Sequence, residues 1–222
     1  MRLYLSSYRL GDTPGDLVTL MRGGTRALIV ANALDAIPAE RREAYRANVY
    51  DPVAEFARLG IAAELIDLRL AGTPAQLRAR LETSDLVWVM GGNSFVLRRA
   101  MRMSGFEKVI VELLAADALV YGGFSAGAVV ATPTLRGIEL MDDPYGIPRG
   151  YDPEIVWDGL NLVDFSIVPH FESDHPESAL AKATALRLER LGLAHRTLRD
   201  GQAIVVDGQD VRFLGGSNDE AA

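Results

Sequence analysis

Cysteine is absent from this chain of 222 residues. That removes a cysteine nucleophile, a Cys-ligated zinc site and a disulfide scaffold, and with them the cysteine-dependent amidotransferase chemistry of some α/β scaffolds. Histidine is scarce: any imidazole base has to come from His170, His175 or His195. No apolar run approaches the roughly 20 residues of a membrane-spanning helix. The opening Met1-Arg2-Leu3-Tyr4-Leu5-Ser6-Ser7 turns polar too soon for a secretory signal. A basic stripe is missing as well, and the net charge is −7, which argues against a nucleic acid partner. The paired Arg41-Arg42 and Arg98-Arg99 fall in helical patterns and read as solvated faces. There is no G-x-G-x-x-G fingerprint, P-loop, internal repeat or low-complexity tract. The expectation is a cytoplasmic protein with no membrane attachment, no metal and no organic cofactor; monomer and homo-oligomer fit it equally.

What remains is ordinary globular composition, 49% hydrophobic and 24% charged, which suits one domain over residues 1–222 with a sizeable core. Apolar strand-like runs alternate with helical patterns. Strands are expected at 3–6, 27–31, 63–68, 85–90 and 118–121, then 166–170, 197–198, 203–207 and 211–214, with Asp207-Gly208 as a hairpin turn. Helices are expected from Pro38 to about Leu59, from Thr73-Pro74 to about Leu81, and over 94–101, 107–116 and 176–191. Continuous apolar strands between helices predict an α/β fold, a mainly parallel sheet covered on both faces. Residues 132–159 hold Pro133, Pro144, Pro148 and Pro153 and little periodicity. A long irregular stretch of that kind inside a compact domain is often functional.

Gly123-Phe124-Ser125-Ala126-Gly127 sits between a strand-like run and a helix start. In that context G-x-S-x-G acts as a nucleophile elbow, with the serine at the apex of a sharp turn and small neighbours around it. Read without chemistry, it is a glycine-rich strand–helix turn. A serine nucleophile needs a base, and the base an orienting acid. His170 follows an apolar strand end and projects beside the tip of the Ser125 strand. His175 precedes a helix and reads as exposed or capping, and His195 as solvated. Acid candidates after the elbow are Glu139, Asp142, Asp143, Glu172, Asp174 and Asp200. Gly91-Gly92-Asn93 closes another strand end, where glycines allow backbone N–H groups to approach a ligand. That turn and the Ala126 N–H are candidates for oxyanion and substrate binding.

Val89-Met90-Gly91-Gly92-Asn93-Ser94-Phe95, then Gly123 to Ala128, then Pro169-His170-Phe171, in this order, resemble the motifs of the peptidase S51 family, which includes dipeptidase E and cyanophycinase. The resemblance extends over most of the chain, Leu140-Met141-Asp142-Asp143-Pro144 and Asp200 to Ile204 included. It implies a serine peptidase on a flavodoxin-like fold related to class I glutamine amidotransferases, acting on short peptides. It implies Ser125 as nucleophile, His170 as base, Asp200 as acid where dipeptidase E has glutamate, and an important aspartate at Asp142 or Asp143. Gly92 and Ala126 become the oxyanion donors. Dipeptidase E holds an N-terminal aspartate with an arginine that follows its histidine. The matching region here, Leu180-Ala181-Lys182-Ala183-Thr184-Ala185, has no arginine, and only Lys182 and Arg187 lie near.

Overall fold

The computed structural model describes residues 1–215. Its strands are β1 (Arg2–Ser6), β2 (Arg26–Val30), β3 (Ala62–Ile66), β4 (Leu86–Val89), β5 (Val120–Phe124), β6 (Ser166–Val168), β7 (His195–Thr197), β8 (Ala203–Asp207) and β9 (Asp210–Leu214). Its α-helices are α1 (Pro14–Leu20), α2 (Ala39–Asn48), α3 (Pro52–Arg58), α4 (Pro74–Glu82), α5 (Ser94–Ser104), α6 (Phe106–Ala115), α7 (Ala126–Val129) and α8 (Ser178–Arg190). The main sheet has the order β3-β2-β4-β5-β1-β8-β9. From β3 to β1 all neighbours are parallel, while β8 and β9 add an antiparallel hairpin at the edge.

Two-residue periodicity sends alternate side chains to opposite faces. Leu3, Leu5, Leu28, Val30, Val87, Val89 and Tyr121 share one core with Leu97, Phe106, Ile110 and Leu114. Tyr4, Ile29, Leu86, Trp88 and Val120 share the other with Leu17 and Leu20 of α1 and Phe56 of α3. Burial on both faces explains why these strands read as continuous apolar runs.

Most boundaries follow local chemistry. Thr73 and Gln76 form a reciprocal capping box ahead of Pro74. The single helix expected from Pro38 to Leu59 is instead two. Proline disfavours a helical conformation in the residue before it, so Asp51 is extended, at φ −107° and ψ 105°, and its side chain caps the Val53 and Ala54 N–H groups. Helix α1 escaped the sequence reading, although Pro14 in its first turn signals it. Strand β7 does not close the main sheet; it pairs parallel with β6 in a separate two-stranded sheet, because β8 takes the place beside β1.

Arg98 and Arg99 are not solvated. Both are buried, at 2% and 1% exposure. Arg98 donates to the Asp158 carbonyl and to Glu107; Arg99 donates to the carbonyls of Glu154 and Pro144. The irregular segment 132–159 leaves carbonyls without a ladder, and these guanidinium groups supply the missing donors. The segment is thereby fastened to α5.

The parallel strands open their carboxyl ends on one edge, the usual place for a site in an open α/β sheet. Ser6-Ser7, Met90-Gly91 and Phe124-Ser125 all lie there. Helix α7 packs on this edge with almost no clearance: a Cβ on Gly127 would lie 2.1 Å from the Val89 carbonyl oxygen. Gly127→Ala is therefore expected to cost about 1–3 kcal/mol through overpacking. Urea unfolding should show a lower midpoint at an unchanged slope, and an alanine variant as stable as wild type would contradict this account.

Candidate active site

Ser125 occupies the turn between β5 and α7 with φ 49° and ψ −117°. A non-glycine residue held in such a region carries strain of about 1–3 kcal/mol and persists only where its surroundings over-determine it. Here the Ser125 N–H donates to the carbonyls of Ser6 and Ser7, at 3.2 and 3.1 Å. Its own carbonyl accepts from Ala128 and Val129 N–H. The small neighbours are required: a Cβ on Gly123 would lie 2.8 Å from the Gly127 backbone, and one on Gly91 3.0 Å from the Ser125 Cβ.

His170 follows β6 and is 1% exposed. Its Nε2 lies 3.1 Å from Ser125 Oγ and its Nδ1 2.7 Å from Asp200 Oδ1. The backbone here is also left-handed, with φ 61° at His170. One side chain fixes the arrangement. The Ser7 hydroxyl accepts the His170 N–H at 2.8 Å and donates to Asp200 Oδ1 at 2.8 Å. Ser173 Oγ accepts the Asp200 N–H. Burial raises the Asp200 pKa, but the bonds from His170 and Ser7 outweigh it and hold the carboxyl below its ordinary value.

Among the described residues the N–H groups of Gly92 and Ala126 have no acceptor. Gly92 has φ 136°, and a Cβ there would strike the Ala33 carbonyl. Asn93 caps α5, its Oδ1 accepting from Phe95 and Val96 N–H, while its Nδ2 donates to the Asp143 carbonyl. The Asp143 carboxylate is exposed and accepts the Tyr145 N–H. Asp142 accepts the Ser94 N–H at 2.8 Å. Burial pushes its pKa from 3.8 to about 6, opposed by its bonds with Ser94 and reinforced by the charge of Glu177. Neither Asp142 nor Asp143 hydrogen-bonds to His170.

The other candidates are engaged elsewhere: Glu139 accepts the Gly137 N–H, Glu172 pairs with Arg199, and Asp174 is exposed. The His195 Nδ1 contacts the Leu193 carbonyl. His175 does accept a backbone N–H, from Glu177, but it also stacks on His170. His170, His175 and Glu177 bring ligand atoms within 4.8 Å of one another. The nitrogens His170 Nδ1, His170 Nε2 and His175 Nδ1 already have partners there, in Asp200, Ser125 and the Glu177 N–H.

Ser7 and Glu177 are the residues of this site that sequence reasoning missed, and His175, expected as exposed or capping, also lies in it. Ser7 was legible only as the residue after a strand that turns out to neighbour β5.

Residues 36–214 match the sequence profile described as Peptidase family S51. The chain belongs to that family. Peptidase E of Streptomyces coelicolor is 33% identical over 200 residues, 85% of this chain and 78% of that protein. An uncharacterized peptidase of Listeria monocytogenes is 35% identical over 115 residues, 52% of this chain and 53% of that protein. The matched stretch is thus about half the length of the Listeria relatives. A crystal structure of a putative peptidase E protein from Listeria monocytogenes superposes with a TM-score of 0.78 at 24% identity, covering 97% of this chain and 98% of that one. The flavodoxin-like, class I amidotransferase-like α/β architecture is common to both.

The raised Asp142 pKa has a sign. Unfolded, its carboxyl titrates near 3.8; folded, near 6. Between those values the folded state holds more protons, so this group's contribution makes stability fall as pH rises through the window. Asp142→Asn keeps an acceptor for Ser94 and removes the titration. Unfolding by urea should show the variant gaining on wild type by about 1–3 kcal/mol between pH 4 and pH 7. A difference that stays constant over that range would refute the shift.

Proposed function

We propose that the chain is a serine exopeptidase of the dipeptidase E type that hydrolyses short peptides through an acyl-enzyme. The observation that supports this most is the unbroken hydrogen-bonded run from Ser125 Oγ through both nitrogens of His170 to Asp200. Aspartate is one methylene shorter than the glutamate of dipeptidase E, yet its oxygen reaches Nδ1 at 2.7 Å.

The proposed steps follow from that geometry. Asp200 keeps the proton of the neutral imidazole on Nδ1, leaving the Nε2 lone pair toward Ser125. Ser125 Oγ attacks the scissile carbonyl as Nε2 takes its proton. The N–H groups of Gly92 and Ala126, which have no acceptor among the described residues, receive the charge that develops on the carbonyl oxygen. The imidazolium protonates the leaving amine, and a water activated by the same Nε2 releases the acyl group. The loop of residues 132–159, pinned by Arg98 and Arg99, walls the site and favours short substrates. A cysteine-free chain suits the cytoplasm, which we take as its compartment.

The test is turnover of a panel of X-Leu dipeptides, Asp-Leu among them, and X-p-nitroanilides. Ser125→Ala should abolish it with the fold intact. Asp200→Asn should lower kcat by about 10³-fold or more by releasing the wrong imidazole tautomer. Cleavage of Asp-Leu alone points to a strict aspartyl dipeptidase. Turnover that survives Ser125→Ala would end the serine mechanism.

A further inference from the structure

The ring of His175 lies flat on the ring of His170, with centroids 3.7 Å apart and planes inclined by 8°. Tyr8 stands edge-on to both, with centroids 6.0 Å from His170 and 5.7 Å from His175. His175 is itself anchored, since its Nδ1 accepts the Glu177 N–H at 3.2 Å. That bond assigns the proton of its neutral ring to Nε2.

His170 needs such support. A hydrogen bond from Nδ1 to Asp200 locates one edge of the imidazole but does not by itself fix the tilt of the ring plane about the side-chain torsions. A tilt carries Nε2 away from Ser125 Oγ, and a misplacement of about 1 Å in a reacting pair lowers turnover by up to about 10²-fold. A flat ring pressed against the face opposes that tilt. The stacked partner also has to stay uncharged when His170 becomes an imidazolium. Burial, and then the nearness of His170, depress the proton affinity of His175, while Asp200 and Glu177 work the other way. The remaining titratable groups around the pair are Asp142, Tyr8 and the Glu177 carboxylate, which lies 3.9 Å from His170 Nε2.

We infer that His175 is a positioning residue: its stacked ring fixes the plane of the His170 imidazole and so keeps Nε2 aligned on Ser125 Oγ. The inference rests on the triad reading above and extends it to a residue that makes no hydrogen bond to Ser125.

Two substitutions separate this role from a structural cap. His175→Phe keeps a flat ring and loses the acceptor for the Glu177 N–H. His175→Asn keeps an acceptor and loses the ring. Positioning predicts that Phe retains kcat within about threefold, while Asn loses about tenfold or more in kcat at nearly constant KM. The rate at which a fluorophosphonate probe labels Ser125 should follow the same order. A capping role alone predicts the reverse order, with Phe the poorer variant. The reverse order, or an Asn variant equal to wild type, would overturn the inference while Ser125→Ala still abolished turnover. Turnover and labelling that survive Ser125→Ala, or a wild type with neither, would overturn the triad reading and the inference with it.

Discussion

Everything at the reactive edge depends on how closely α7 is allowed to lie on the sheet. Gly123 and Gly127 bring its backbone against β4 and β5 at distances no Cβ tolerates, and this forces Ser125 into its left-handed turn. The strained conformation is then locked from the end of β1, where the carbonyls of Ser6 and the following Ser7 accept the Ser125 N–H. The next side chain of that segment, Ser7, bonds both the His170 N–H and the Asp200 carboxylate. A single strand end thus ties together groups from three distant parts of the chain. Helix packing and the backbone strain at Ser125 are consequences of one close contact.

Electrostatics sets two of the carboxylates around His170 apart. Asp200 is held below its ordinary value because its bonds with His170 and Ser7 outweigh burial. Asp142 rises to about 6 because burial outweighs its bonds with Ser94. Two aspartates near one imidazole are thus pushed apart in proton affinity by environment alone, as paired titratable groups in active sites commonly are. Asp200 is the one suited to remain ionised beside an imidazolium. Asp142 is the one whose charge changes near neutrality, and it sits where the pinned loop meets the start of α5.

The parts legible in the sequence were those with local causes. Strand runs followed from burial on both faces, the α4 start from Thr73-Pro74, and the elbow from its glycines. The break between α2 and α3 is also written locally, in Asp51-Pro52, inside the single helix expected from Pro38 to Leu59. Arg98 and Arg99 were misread because, apart from the Arg98 pair with Glu107, their partners are backbone carbonyls of a loop 45 to 60 residues away, and no side-chain pattern announces a carbonyl. Ser7 was hidden for a similar reason: its role arises only once β1 is known to lie beside β5 and near the His170 loop. His175 accepts the Glu177 N–H just ahead of α8, but its stacking partner depends on how the chain turns at His170, where φ is positive.

Helix α8 explains why the region that matches the arginine of dipeptidase E contains none. Ala181, Thr184 and Leu188 form its inward face and are fully buried. Leu188 meets Gly137, where a Cβ would lie 2.8 Å from its side chain, and the Thr184 hydroxyl reaches the Gly137 carbonyl. This face braces the loop that delivers Asp142 to Ser94. A long cationic side chain at position 181 or 184 would have to displace that brace, while Lys182 and Arg187 are exposed. In this chain α8 is used to hold the wall of the site, so any recognition of a substrate carboxylate has to come from elements other than the inward face of this helix.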